Sequence, residues 1–305
     1  MLGAGAKLRT LIQERRPLIL PGVFDGLSAR LAASAGFDAL YMSGSSVAAA
    51  LLGRADVGLV TLTEMVTQAS HIVEAGTLPV LADADTGYGN ALNVIRTVRS
   101  YEKAGLAGLH IEDQVAPKKC GHFAGKELIG AEEMVGKIRA ARDARRDPDF
   151  FLVARTDAIA VTGLEDAIRR ARRYVDAGAD ALFVEAPPSI EAYRRIAEAL
   201  PGVLLVADVT EGGRSPALPS QEYLRLGFQI VLFSASASRA VMKTLGSFYG
   251  QLRTAGTTLD LMDRMVAFEE RNRLLGLDEF YALEQRYAAS DEQRGKRPPE
   301  GSEPS

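Results

Sequence analysis

Residues 181–209, ALFVEAPPSIEAYRRIAEALPGVLLVADV, decide how the chain folds. ALFVEAP (181–187) and VLLVADV (203–209) are continuous apolar runs that reach acidic residues at their ends, and residues 189–200 between them carry a helical pattern with a charged face. An apolar run without alternation fits a strand buried on both faces, and a helix joining two such strands makes them parallel neighbours. The unit recurs in both directions. LILPG (18–22), ALYMSG (39–44), PVLADAD (79–85), AGLHIED (107–113) and FFLVARTD (150–157) precede it, and QIVLFS (229–234) follows. Helical patterns cover 93–104, 131–145 and 163–177, and the pairs Ala35-Gly36, Ala104-Gly105, Ala177-Gly178 and Leu226-Gly227 fit glycine caps that feed the next strand. Eight such units predict a (β/α)8 barrel. The rival is a doubly wound open sheet, but no glycine-rich dinucleotide fingerprint follows the first strand.

The chain continues past the eighth strand. Residues 236–255 read as the last barrel helix, so residues 1–255 are the expected catalytic domain. Residues 256–290 form a helical extension whose Leu259, Met262, Met265, Val266 and Phe268 need cover, from the chain's own barrel or from another subunit. Residues 291–305 are rich in Pro, Gly and charge and are expected to be disordered. The net charge of -3 and the lack of a basic stripe argue against nucleic acid as a partner. A single cysteine allows no intramolecular disulfide and suggests a reducing compartment. MLGAGAKLRTLIQERRP (1–17) lacks the apolar core of a signal peptide, and no apolar run is long enough to span a bilayer, so the expectation is a cytoplasmic protein with no membrane partner.

Barrel active sites form at the C-terminal ends of the strands, where side chains two apart share a face. Asp83 and Asp85 are placed together at the end of strand three, Glu112 at strand four, Arg155 and Asp157 at strand five, Glu185 at strand six and Asp208 at strand seven. Tyr41, Ser43 and Ser45 share a face around strand two, and Asp56 sits in the loop that follows. So many carboxylates around one mouth would repel unless a cation joins them. Oxygen ligands select a hard ion, Mg²⁺ or Mn²⁺, with Asp83, Asp85 and Glu112 as the first metal group and Asp56 in support. The alternative is that strand-end acids cap the following helices. Arg155 on an inward face needs an anion, either a substrate carboxylate or Glu185. His110 reads as a core histidine and His71 as a structural residue on a helix. The lone thiol lies in KKCGH (118–122), where Lys118, Lys119 and His122 either favour the thiolate or make Cys120 a ready proton donor. Gly121 makes this segment a mobile loop. Cys120, Arg155, His122 and Tyr41 are the catalytic candidates.

YMSGSSVAA (41–49), VLADADTGYGN (80–90), HIEDQ (110–114), KKCGH (118–122), ARTDA (154–158), EAP (185–187) and EGGRSP (211–216) together resemble the isocitrate lyase / phosphoenolpyruvate mutase superfamily over nearly the full chain. The resemblance implies a Mg²⁺-dependent (β/α)8 enzyme acting on a small keto or hydroxy acid, with the C-terminal helices exchanged between subunits of a homotetramer, a dimer of dimers. It implies that Ser43, Gly44 and Ser45 hold the keto-acid carboxylate and that Asp83, Asp85, Glu112 and Asp56 bind the metal. It further implies that Arg155 contacts the oxygen at the breaking bond, that Cys120 protonates the released aci-carboxylate, and that His122, Glu185 and Ser215 bind the departing half. Members that carry this cysteine are typically carbon–carbon lyases, although one carboxyphosphonoenolpyruvate mutase branch has a similar loop. EAPPS (185–189) is more similar to alkylmalate-type lyases. Two departures fall in the pocket for the non-keto half: Asp208 stands where the family usually has Asn, and Ser234-Ala235 where many lyases have Pro. The expectation is a lyase that splits a substituted malate or a 2-methylisocitrate-like acid in a retro-aldol manner into pyruvate or glyoxylate and a second carboxylate. The rivals are a phosphonopyruvate-type mutase, an oxaloacetate decarboxylase or hydrolase, and a non-enzymatic keto-acid-binding protein.

Overall fold

The protein is described from a computed structural model covering residues 2–288; the expected tail 291–305, and the last two residues of the extension, lie outside the described residues. Eight strands follow the eight apolar runs: β1 (Leu18–Val23), β2 (Leu40–Met42), β3 (Val80–Asp83), β4 (Gly108–Glu112), β5 (Phe151–Thr156), β6 (Ala181–Val184), β7 (Leu204–Asp208) and β8 (Ile230–Phe233). Each pairs in parallel with the next, and β8 pairs back onto β1 with Leu20 opposite Leu232. The sheet is therefore a closed (β/α)8 barrel, and the open doubly wound alternative is excluded. The register sets Asp83 beside His110 on β3–β4 and Glu112 beside Arg155 on β4–β5.

The expected helices appear as Ala91–Lys103, Ala131–Ala144, Leu164–Asp176, Ile190–Ala199 and Ser236–Ala255. Local chemistry sets their ends. Asn90 accepts the amides of Leu92 and Asn93 in a capping box, and Gly105 (φ +87°) and Gly178 (φ +108°) take the left-handed turn after their helices. Outward-facing strand side chains such as Leu109, Ile111 and Leu182 meet the helices in one apolar layer. Inward-facing ones, including Leu18, Leu20, Phe151 and Ile230, fill the barrel. The N-terminal segment, to which the sequence pattern assigns no element, is a helix, Ala4–Glu14. Its Leu8 and Ile12, one turn apart, join the residues at the strand starts and close the end of the barrel opposite the site.

The chain divides into two compact units, Met1–Ser247 and Phe248–Ser305. The division falls inside the helix Ser236–Ala255, ahead of the boundary expected at 255. The second unit contains a 3₁₀ turn, Leu259–Arg264, and helices Phe268–Leu274 and Leu277–Tyr287. Its Leu259, Met262, Val266 and Phe268 are all exposed. Among the described residues no helix is long and apolar enough to cross a membrane.

Candidate active site

The strands end earlier than the apolar runs suggest, and this changes how the site is built. Asp83 closes β3, but Asp85 lies beyond it in a left-handed conformation (φ +46°), so strand alternation does not place the two acids on one face. A local turn joins them instead, with the Asp85 amide donating to Asp83 Oδ1 at 2.9 Å. Ser43, Asp157 and Glu185 likewise follow their strands. Ser43 caps the helix Gly44–Leu52, accepting the Ser46 amide at 3.3 Å and lying 3.2 Å from the Ser45 hydroxyl. A Cβ at Gly44 would sit 2.6 Å from Asp83 Oδ2, so only glycine lets this helix N-terminus approach that carboxylate. Free amides and the positive end of the helix dipole make such a terminus a site for a carboxylate.

Asp83, His110 and Glu112 bring their ligand atoms within 4.8 Å of one another, all buried. His110 Nε2 lies 2.8 Å from the Tyr41 hydroxyl and 3.6 Å from Asp83 Oδ1. Burial pulls the imidazole down to about 4, so it is neutral, and burial with nearby Asp83 keeps Tyr41 a phenol. Burial opposes ionisation of Asp83, but the ring of His110 and the cations Lys118 and Arg155 outweigh it and hold the carboxyl below its ordinary value. Glu112 is pushed up, mainly by burial. Gln114 Nε2 donates to its Oε1 at 2.9 Å, while Oε2 is buried without a hydrogen bond. Asp85 is pushed up to about 6 by burial and by Asp83 and Asp56, against the pull of Lys118. The buried Lys118 ammonium is 2.7 Å from Asp56 Oδ1 and 2.9 Å from Asp85 Oδ1. These oxygens, with Glu112 Oε2 lacking a hydrogen bond and 3.3 Å from Arg155 Nε, fit a hard divalent cation.

Arg155 has a partner beyond the two anions that the sequence suggests. Its Nε and Nη2 donate to the two oxygens of Asp157 at 2.9 and 3.0 Å, and Lys126 Nζ donates to the same carboxylate at 2.8 Å. Glu112 and Glu185 are second neighbours, at 3.3 and 3.6 Å. Burial would raise the Asp157 carboxyl, but the two cations outweigh it and hold it down to about 2. Asp157 thus fixes the guanidinium over the Phe183 ring, 5.0 Å from its centroid.

The KKCGH loop lies packed into the barrel mouth. The Cys120 amide donates to the Asp56 carbonyl at 3.1 Å, and Lys126 bonds the Gly121 carbonyl. A Cβ on Gly121 would fall 2.2 Å from Glu185 Oε1 and 2.5 Å from Arg155 Nη2. The lysines that flank the thiol in sequence turn away, Lys118 to the acids and Lys119 to the Gly125 carbonyl. Burial therefore dominates and pushes the Cys120 thiol up to about 11. Of the two readings of this cysteine, thiolate or proton donor, burial favours the protonated thiol.

His122 accepts the Arg214 amide on Nδ1 at 3.0 Å, and burial holds the ring below its ordinary value. It is therefore neutral with its proton on Nε2, which lies 3.3 Å from Glu185 Oε1 without an aligned hydrogen bond. Burial pushes Glu185 and Asp208 upward. Asp208 Oδ2 accepts from the hydroxyls of Thr210 and Ser234 at 2.8 and 2.9 Å. A cavity of about 60 Å³ joins these groups. Tyr41, Ser43, Ser45, Asp56, Asp83, Cys120, His122, Arg155, Glu185 and Asp208 line it, with Phe183, Thr210 and Ser234. Asp85, Glu112 and Gly44 are not part of that lining, and Asp85 lines a neighbouring cavity with Lys118. Ser215 is buried beside Tyr193 and does not line the cavity. Lys126 and Thr210 are the site neighbours that sequence reasoning passes over, and Lys118 and Asp157 are placed there without their partners Asp56 and Arg155; the position of Asp157 two residues after Arg155 is the available signal.

Residues 8–252 match the family model described as phosphoenolpyruvate phosphomutase. The 2,3-dimethylmalate lyase of Eubacterium barkeri is 46% identical over 94% of this chain and 99% of its own length. A crystal structure of 2,3-dimethylmalate lyase superposes with a TM-score of 0.89 at 38% identity, covering 95% of this chain and 97% of the other. A phosphonopyruvate hydrolase crystallised with oxalate and Mg²⁺ superposes with a TM-score of 0.83 at 29% identity, covering 94% of this chain and all of the other.

Proposed function

The chain belongs to the phosphoenolpyruvate phosphomutase family, and from that premise we propose that it is a Mg²⁺-dependent carbon–carbon lyase. It splits a substituted malate or a 2-methylisocitrate-like 2-hydroxy acid into a keto acid, pyruvate or glyoxylate, and a second carboxylate. The observation that carries this reading is the place of Cys120 on the wall of the same cavity as Arg155, Asp83 and Ser43, with burial favouring its protonated thiol. A mutase moves a group within one molecule and needs no such proton, whereas a retro-aldol cleavage ends with a carbanion that does.

Asp83, Asp85 and Glu112, with Asp56 in support, would hold Mg²⁺, or Mn²⁺ in its place. A bound divalent cation supplies positive charge for the hydroxyl and carboxylate of the keto-acid half. Ser43, Gly44 and Ser45 present the start of their helix to that carboxylate. Arg155, held by Asp157, offers its guanidinium to the oxygen at the breaking bond, and the Tyr41 phenol stands on the same wall as a neutral donor. His122 presents its unpartnered Nε2–H to the leaving carboxylate beside Glu185 and Asp208. Cys120 then transfers its S–H proton to the carbanion carbon of that half, while the proton lost from the 2-hydroxyl passes to a carboxylate of the Asp83 cluster and returns to the thiolate as the products leave. The loop excludes water while it is closed, so no other donor competes. Ser215, expected at the departing half, lies outside the lining. The extension 256–290 is assigned to subunit exchange in a homotetramer, supported by its exposed Leu259, Met262 and Phe268, and the enzyme to the cytoplasm.

The test is keto-acid release, followed in a coupled assay with Mg²⁺ or with a chelator. The panel is 2,3-dimethylmalate, 2-ethylmalate, 2-methylisocitrate, isocitrate and oxaloacetate. Mg²⁺-dependent pyruvate or glyoxylate from a hydroxy acid is the expected result. Turnover of oxaloacetate alone would make the protein a decarboxylase or hydrolase, and silence across the panel would point to a mutase or a keto-acid-binding protein.

A further inference from the structure

Two oxygens on the β6–β8 wall of the cavity lack strong partners. Glu185 is 2% exposed, and its Oε2 has no hydrogen-bond partner among the described residues. Asp208 Oδ1 receives only the Ser234 amide, at 3.4 Å, because the hydroxyls of Thr210 and Ser234 both point their hydrogens at Oδ2. Among the described residues the cation that reaches this wall is Arg155, with Nη2 3.6 Å from Glu185 Oε2, but its guanidinium is engaged bidentately by Asp157, and His122 offers a single neutral N–H. A carboxylate brought against Asp208 and Glu185 would meet like charge in a buried place, whereas a hydroxyl would find two acceptors that need a donor.

We infer that Asp208 is a specificity-determining residue, which selects a leaving half whose side branch carries a hydroxyl donor and rejects one whose branch carries a carboxylate. The inference rests on the lyase reading and deepens it, because it names the substrate class as malates with a hydroxyalkyl branch on C3. The leaving carboxylate itself still meets the His122 N–H. The branch hydroxyl donates to Asp208 Oδ1 or Glu185 Oε2. An alkyl branch brings neither oxygen a further donor and is intermediate.

The test compares three malates that differ only in the C3 branch, hydroxymethyl, methyl or carboxymethyl, with the wild-type enzyme and with Asp208→Asn in the presence of Mg²⁺. The wild type is expected to favour hydroxymethyl over carboxymethyl in kcat/KM by about tenfold to hundredfold. Asp208→Asn should collapse that ratio, since an amide neither repels a carboxylate nor accepts as strongly. A wild type that handles the carboxymethyl compound as well as the hydroxymethyl one, or a ratio unmoved by Asp208→Asn, overturns the inference. Calorimetric binding of the matching leaving halves, 3-hydroxypropionate, propionate and succinate, reads the same selectivity without turnover and without the variant; tighter succinate binding sinks the idea. If no malate is cleaved yet 3-hydroxypropionate outbinds succinate, the lyase reading fails and the assignment of Asp208 stands.

Discussion

On the β3–β4 side of the mouth, Asp56 and Asp85 share the Lys118 ammonium, and Asp83 is held ionised beside His110. On the β6–β8 side, Glu185 and Asp208 face a neutral histidine and two hydroxyls, and Glu185 Oε2 has no hydrogen-bond partner among the described residues, with Arg155 Nη2 3.6 Å away and held by Asp157. The first wall is an acid cluster matched by positive charge, the arrangement a hard cation can enter. The second is rich in acceptors and poor in cations, so it discriminates among ligands rather than concentrating charge. Chemistry and selectivity are thus assigned to opposite walls of one small cavity, and the cysteine loop closes over both.

Removing charge from the first wall should have the largest effect. Asp83→Ala is expected to lower keto-acid release by about 1000-fold, the order of several kcal/mol of metal-derived stabilisation, and to abolish Mg²⁺ binding in calorimetry. Retained Mg²⁺ binding would move the cation away from this wall. Lys118→Met leaves Asp56 and Asp85 facing each other without their counter-charge. In the metal-free protein it should reduce unfolding stability by about 3 kcal/mol, and added Mg²⁺ should recover more stability in the variant than in the wild type. Equal responses of the two proteins to Mg²⁺ in thermal melts would break the claim that one cluster serves both cations.

How far the sequence reveals this division depends on the residue. The eight apolar runs specify strands buried on both faces, and the strand ends put Asp83, Glu112 and Asp208 at the mouth. Alternation does not extend to Asp85, because the strand stops at Asp83 and the backbone turns left-handed two residues later. Lys118 reads as a neighbour of the thiol because it is close in sequence. Its real partner, Asp56, is 62 positions away and is reached only through the folded loop. Asp157 is legible at a strand end but not as the partner of Arg155, since a charged pair two residues apart needs the bend after β5. The N-terminal helix escapes a reading of the pattern because its apolar positions are few, and only the barrel floor makes Leu8 and Ile12 useful.

The loop can be examined from both directions. With the Cys120 thiol pushed up to about 11, alkylation by iodoacetamide at pH 8 should run about 100-fold slower than in the unfolded chain, in proportion to the thiolate fraction. The sign follows from the raised value: the reactive thiolate appears only as pH climbs toward 11, while the proton-donating form persists through neutrality. A rate that levels off above pH 9 would mean that the thiol is not buried. Gly121→Ala puts a methyl group against Glu185 and Arg155. It should reduce kcat roughly tenfold to hundredfold with the melting temperature unchanged, by holding the loop and Cys120 out of position. Wild-type turnover in this variant would show that closure is not needed.

The most direct measurement is steady-state keto-acid release from 2,3-dimethylmalate with Mg²⁺, wild type against Cys120→Ser. If Cys120 delivers the proton to the leaving half, kcat falls by at least about 100-fold while the variant still binds oxalate and Mg²⁺. An unchanged kcat in Cys120→Ser would contradict the account, because the cavity would then hold a protonated thiol with no part in the reaction.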